Sequence, residues 1–336
     1  MEEMSLAELA GVLRTSKVFV NKSHIRTVSD TMKPLAQAWG IINGDDAAAI
    51  AYGEEYLLLA AEGIIPELVR RDPHLAGRAA VLANINDIYA MGGRPLAMVD
   101  VIGTTDDRTA REICRGIRDN AARFQVPVVG GHLLRTESDF SVALAILGRA
   151  KRLITSFDAQ PGDRMLLITN MQGVWLSENG FWNCTLEKDD AMLVPNLELL
   201  PRASEAGLVR AGKDVSMSGI SGTVLMLAEC SGLGARLDLD RIIPPPGVDL
   251  IPWLLAYLSY GFLLAAPPER VDELATLFLE RKLSVTDIGA FCQGSRVLLA
   301  RQGEEMLLWD WNKNPFTGFT APKPGTSGRP LTAKAS

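Results

Sequence analysis

Asp45 and Asp46 stand side by side in the stretch Asn43-Gly44-Asp45-Asp46, immediately ahead of an apolar run at 47–51. Adjacent carboxylates disfavour each other's ionised form unless a cation offsets the charge. Further along, Asn84 and Asp87 lie three residues apart, at helical spacing, with apolar residues on both sides at 79–83 and 88–91. A helix this apolar is expected to be buried, and a buried carboxylate requires a partner. Oxygen donors of this kind suit Mg2+, which commonly links one or two carboxylates to the phosphates of a nucleotide. Each group also has a plainer reading. Asn-Gly-Asp-Asp is good turn chemistry in its own right, and Asn84 with Asp87 also reads as a solvated helix face or a structural ion-pair site.

Two further stretches carry possible chemistry. Gly130-Gly131-His132 follows the short β run 126–129, where glycine lets backbone approach a ligand and the imidazole can donate or accept; a bare turn reads the same way. The segment 213–219 (KDVSMSG) looks like a phosphate-contacting loop opening a helix. Its alternative is simple capping, with Ser216 or Ser218 as N-cap. Common nucleotide and hydrolase signatures are missing: there is no GxxxxGK[ST], no GxGxxG between strand and helix, no G-x-S-x-G and no HExxH. ATP use, if present, runs without them.

Composition narrows the class. The 336-residue chain is long enough for two domains, with 47% hydrophobic and 22% charged residues. A net charge of −6 supplies no global basic field to draw in nucleic acid. Cys114, Cys184, Cys230 and Cys292 are far apart and form no CxxC pair, so cytosolic thiols are expected rather than a disulfide framework or zinc site. The acidic start has no signal-peptide pattern, and the apolar stretch 251–266 falls short of the ~20 residues of a membrane span. A cytoplasmic location without membrane contact is expected.

The elements that must position these residues are partly readable. Leu6, Leu9, Ala10 and Leu13 predict a short amphipathic helix. Residues 17–43 read as mixed, with Lys22, His24 and Arg26 in a β-leaning context. The runs 47–51 and 56–61 predict a hairpin, Pro73 opens a helix that runs to Met91, 94–103 is a strand and 106–124 an amphipathic helix. A boundary near 150–162 leads to a strand at 164–169, helices near 197–211, 219–231, 249–258 and 268–280, and strands near 235–239, 260–266, 285–291, 295–300 and 305–309. Alternating strands and helices in both halves indicate α/β or α+β. The Pro-, Gly-, Ser- and Lys-rich stretch 312–336 reads as a disordered tail.

In order, GDDAA (44–48), NINDIYAMGGRP (84–95), VVGGH (128–132) and DVSMSGISGTVLMLAECSG (214–232) resemble the motifs of the PurM-like, AIR synthase-related superfamily. Its members include aminoimidazole ribonucleotide synthetase, selenophosphate synthetase, thiamine-monophosphate kinase and HypE, and the whole most resembles the sll0787-type AIR synthase-like proteins. The resemblance implies a two-domain α+β PurM-like fold: an N-terminal ATP/Mg-binding domain over 1–155, a C-terminal domain over 156–311 with a mixed sheet and helices, and the tail at 312–336. In the family two subunits pair first-domain strands into a shared barrel, so a homodimer is implied.

The resemblance also assigns residues. Asp45, Asp46, Glu62 and Asp87 would hold Mg2+, with Glu62 standing where the kinase has an aspartate. Gly44, Asn84, Gly130, Gly131, Asp214 and Ser216 would line the nucleotide, with Asp214 facing its phosphates. Apart from the resemblance, His132 and Lys22 are candidates to contact phosphate or act as acid or base, and Asp214 completes the catalytic set. His132 and Met217 replace acids of the kinase. The activity implied is ATP- and Mg2+-dependent phosphorylation or activation of a small molecule; the alternative is a nucleotide-binding regulatory or scaffold protein of the same fold that has lost catalysis.

Overall fold

A computed structural model of the chain describes residues 4–39, 43–176, 180–185 and 190–320. They form two compact units. Of these, one comprises residues 46–153 and 190–205; the other comprises the described residues up to 45, those within 154–185, and 206–320. The chain opens with three helices, α1 (Leu6–Thr15), α2 (Lys17–Ser23) and α3 (Ile25–Trp39). Ser5 and Glu8 form a reciprocal capping box at the start of α1, whose Leu6, Leu9, Ala10 and Leu13 are buried as their spacing predicts. The β-leaning reading of 17–43 is overturned over 17–39, which are helical; residues 40–42 lie outside the described residues.

The first unit is built on the hairpin β1 (Ala48–Tyr52) and β2 (Glu55–Ile64), then α4 (Pro66–Arg71), α5 (Pro73–Ala90), β3 (Arg94–Thr104), α6 (Asp107–Phe124), β4 (Val128–Arg135) and β5 (Ser141–Ala150). The strands form one open sheet in the order β1-β2-β5-β3-β4. Alternation along β2, β5 and β3 buries Leu58, Ala60, Leu144, Ile146, Met98 and Ile102. The opposite face presents Leu59, Leu147, Val99 and Val101, each more than a third exposed. Gly130-Gly131-His132 is not a turn after a strand: it lies inside β4, with Val101 paired to His132.

α5 is the spine of this unit. Asp72 caps it by accepting from the Leu75 N–H, and Pro73 occupies the first helical position. Its glycine lets α6 come within backbone contact: a Cβ on Gly77 would lie 2.2 Å from the Ile113 carbonyl oxygen. Gly116 does the same from α6, 2.0 Å from the His74 carbonyl oxygen. Two further helices belong here, α7 (Asp190–Leu197) and α8 (Leu199–Glu205). Arg94 ties this helical pair to the sheet, donating to Glu198, between the two helices, at 2.8 Å and to Glu205, at the end of α8, at 2.6 Å.

The other unit carries β6 (Arg164–Thr169), β7 (Val174–Leu176), β8 (Phe181–Asn183), β9 (Ala211–Asp214), α9 (Gly219–Ser231), β10 (Gly234–Asp238), α10 (Leu250–Leu254), β11 (Tyr257–Leu258), β12 (Gly261–Ala266), α11 (Val271–Leu279), β13 (Ser284–Cys292), β14 (Arg296–Arg301) and β15 (Glu304–Asp310). A mixed seven-stranded sheet runs β15-β14-β10-β13-β6-β12-β9, beside a small sheet β11-β8-β7. The start of the expected loop at 213–219 is strand instead: Lys213 and Asp214 end β9, paired with Leu263 and Phe262.

The opening helices belong to this unit. α1 lies on β14 and β15, and the Phe19 ring sits 5.3 Å from Phe316. Residues 312–320, expected in the tail, are part of the fold: Phe316 is fully buried and Thr317 nearly so. Residues 321–336 lie outside the described residues. No described helix is long and apolar enough to cross a membrane.

Candidate metal and nucleotide site

Asp46 stands two residues ahead of β1, and Asp87 lies in the last turn of α5. They offer carboxylate oxygens within 4.8 Å of each other. Asp87 is 5% exposed, Asn84 not at all. α5 reaches this end of the unit buried nearly all round, so its polar residues here have no solvent to fall back on. The Asn84 amide donates to the Ala80 carbonyl at 2.9 Å, which fixes its orientation. Its other atom, Oδ1, is buried with no hydrogen-bond partner among the described residues. An orphaned buried carbonyl oxygen on the same helix end as a carboxylate is what a hard cation or its water shell would satisfy. The donor set is all oxygen, and it fits Mg2+.

The other expected residues are placed as follows. Asp45 does not join this pair: its carboxylate accepts from Ser156 N–H at 3.1 Å and from Ser156 Oγ at 2.7 Å, within the other unit. Glu62 is exposed on β2 and paired with Leu144, so alternation puts it on the helix-covered side of the sheet. His132, Gly130 and Gly131 sit on β4, at the opposite edge from β1. Four interstrand spacings separate those edges, roughly 19 Å. His132 is exposed, on the open face.

In the other unit, Asp214 is 4% exposed at the end of β9, and Lys213 beside it is 6% exposed. Ser216 and Ser218 follow, each with a buried Oγ that has no hydrogen-bond partner among the described residues. Ser218 occupies the N-cap position of α9 without making a side-chain cap, so the capping alternative is not realised. Lys22 is half-buried on α2. Gly44 holds φ at +113°, a conformation open to glycine.

Electrostatics near the end of α5 are set by burial. Tyr89, two residues past Asp87, donates its hydroxyl to Glu198 at 3.3 Å. Burial, reinforced by the Glu198 charge, pushes the Tyr89 phenol well above its ordinary value.

Two family models match the chain in sequence order. The AIR synthase related protein N-terminal domain spans residues 44–150, and the corresponding C-terminal domain spans 160–299. The chain belongs to the AIR synthase related family. It is a PurM-like protein, and its two-unit α+β architecture is the fold expected of one.

Relatives agree with this. The "Uncharacterized protein sll0787" of Synechocystis sp. is 46% identical over 278 residues, covering 82% of this chain and 86% of that protein. T. maritima PurL complexed with ADP superposes with a TM-score of 0.73 at 17% identity, over 94% of this chain. The match covers 55% of that PurL chain, so this AIR synthase related protein spans about half its length. AaThiL complexed with AMPPCP and TMP superposes with a TM-score of 0.64 at 18% identity, over 92% of this chain and 100% of that one.

Both family models contain the expected motifs. Asp46, Asn84 and Asp87 fall in the first segment, Asp214 and Ser216 in the second. What sequence reasoning missed is the support beneath them. Gly77 and Gly116 were visible as glycines inside helical patterns, a signal of close packing. Ser156, which holds Asp45, and Glu229, which holds residues 316–318, carried no sequence signal of their roles.

Proposed function

We propose that this protein is an ATP- and Mg2+-dependent enzyme that phosphorylates or activates a small-molecule substrate. The observation that carries the reading is the convergence of Asp46 and Asp87, with the orphaned Asn84 Oδ1 on the preceding turn of the same helix as Asp87. Support comes from the family: solved relatives of the same fold hold ADP or an ATP analogue.

Asp46 and Asp87 hold Mg2+ in this reading, with Asn84 orienting its shell and Glu62 within the same side of the sheet. Bound there, the ion would supply positive charge to offset that of the phosphates. The chain's own task is positioning. α5 fixes Asp87 and Asn84 rigidly, and burial raises the strength of each charge interaction. Asp214, Ser216 and Gly44, in the other unit, keep the phosphate-contacting role that the family resemblance implies for them. His132 is left out of this site because β4 lies at the far edge of the sheet, and Lys22 is assigned no step. The acceptor substrate is a small molecule, and the active form is a homodimer.

Thermal unfolding with ATP or ADP, with and without Mg2+, tests the proposal. The expected result is a Mg2+-dependent rise in midpoint that Asp87→Asn abolishes. No rise with any nucleotide would overturn it, and binding without ATP consumption across a broad acceptor panel would leave a regulatory protein instead.

A further inference from the structure

We propose that residues 316–319 act as a strap that fixes the loop leading into Asp46, and that Glu229 is a positioning residue for cation binding. The inference rests on the cation reading above.

Glu229 lies in the last turn of α9 and is fully buried. Its carboxylate accepts from the Phe316 N–H at 2.8 Å, the Thr317 N–H and Oγ1 at 2.7 Å each, and the Gly318 N–H at 3.3 Å. A carboxylate removed from water must have its lone pairs filled, and here every one of these donors comes from the strap. Ser29 adds a bond from α3, donating to the Thr317 carbonyl at 2.9 Å. Phe316 is wedged between Phe19 and Trp309, with ring centroids at 5.3 and 5.5 Å.

The end of the strap presses on the loop. A Cβ at Gly44 would fall 2.4 Å from Phe319 Cγ, so the ring lies directly against the glycine backbone. Asp45, next in sequence, is pinned by Ser156. The two residues before Asp46 are therefore both held, one by a ring and one by hydrogen bonds. The strap lies beyond the end of both family segments, at residue 299.

An ordered loop favours binding because the ion need not supply the ordering itself. Releasing the strap leaves Asp46 in place chemically but on a looser backbone. Partners that orient metal ligands without touching the ion typically change affinity by 10–100-fold, and the strap is expected near the low end, about tenfold.

The test is isothermal titration of the full chain with MgCl2 in the presence of ADP. Phe319→Ala and Glu229→Gln are expected to weaken Mg2+ binding about tenfold, with Phe319→Leu restoring much of it. Phe319 is only half-buried, so its removal leaves the fold standing even where the Glu229 variant does not fold. Phe278→Leu, in α11 and away from the strap, serves as a control that lowers stability without moving Mg2+ affinity. Binding lost in Asp87→Asn but unmoved in Phe319→Ala and Phe319→Leu overturns the strap alone. Absence of Mg2+ binding in the unmutated chain overturns the cation site and the strap with it.

Discussion

Gly77 of α5 and Ile113 of α6 meet backbone to backbone: a Cβ on the glycine would stand 2.2 Å from the Ile113 carbonyl oxygen. Reciprocally, Gly116 abuts His74, and the crossing is locked on its flanks by Arg78 donating to Asn120 at 3.0 Å. This contact sets where α5 lies on the sheet, and hence where Asp87 and Asn84 are presented at its other end. Substituting Gly77 by Ala forces the helices apart, since backbone cannot step aside as a flexible side chain can. The expected cost is about 1–3 kcal/mol, the range for overpacking. Denaturant unfolding should show it as a lower midpoint at an unchanged slope, and an unaltered midpoint would mean that the crossing is slack.

The Asp46–Asp87 pair gives a sharper prediction, because it concerns charge rather than shape. Asp46→Asn and Asp87→Asn each keep the side-chain volume and remove one anionic ligand. Nucleotide with Mg2+ at a hundredfold excess over its dissociation constant stabilises the native chain by about 2.7 kcal/mol. Either variant is expected to abolish that increment while the ligand-free protein keeps its circular dichroism. Retention of the full increment in both variants would show that the carboxylates do not hold the ion.

Much of this arrangement was legible in sequence, for physical reasons. Asp46, Asn84 and Asp87 stood out because acids and amides beside apolar runs are expensive to bury without a task. The hairpin 48–64 and α5 were legible from periodicity and from Pro73. Other elements were not. Residues 17–39 contain Val18, Phe19, Val20 and Val28, which favour strands in isolation, yet Phe19 is buried against Phe316 and tertiary packing decides for helix. Residues 312–320 have the composition of a tail. Their order comes from Glu229 and Phe19, far away in sequence, and local composition cannot report a distant partner.

Tyr89 makes stability depend on alkaline pH. Burial first, and the Glu198 charge second, raise its phenol above the ordinary value of 10.0. The unfolded chain releases this proton near pH 10 while the folded chain keeps it. The folded state then binds more protons, so stability that is intact below pH 10 falls as pH rises toward the folded value. One such group contributes a slope of about 1.4 kcal/mol per pH unit. Tyr260, fully buried, is shifted the same way. Tyr89→Phe should remove one of the two contributions, halving the tyrosine part of the decline measured by urea unfolding from pH 9.5 upward. An unchanged slope would mean that Tyr89 ionises freely in the folded protein.

The open face of the first unit's sheet bears on assembly. Leu59 pairs with Leu147, Val99 with Ala145 and Val101 with Ala143. Register therefore places Leu59, Leu147, Val99 and Val101 on one face, at 48%, 38%, 42% and 43% exposure. A contiguous apolar sheet face, with β1 and β4 as its edge strands among the described residues, invites a second sheet. A second copy of the chain supplies one with the same pattern, and closed two-fold pairing covers both faces at once. The unmutated protein is expected to sediment at twice the chain mass of 36.4 kDa. Val101→Glu places a charge at the centre of that face, with an exposed side chain that the monomer tolerates, and should shift the protein to a single chain mass without unfolding it. Sedimentation of the unmutated protein as a single chain would overturn the dimer, and a Val101→Glu protein that remains dimeric would move the interface off this face.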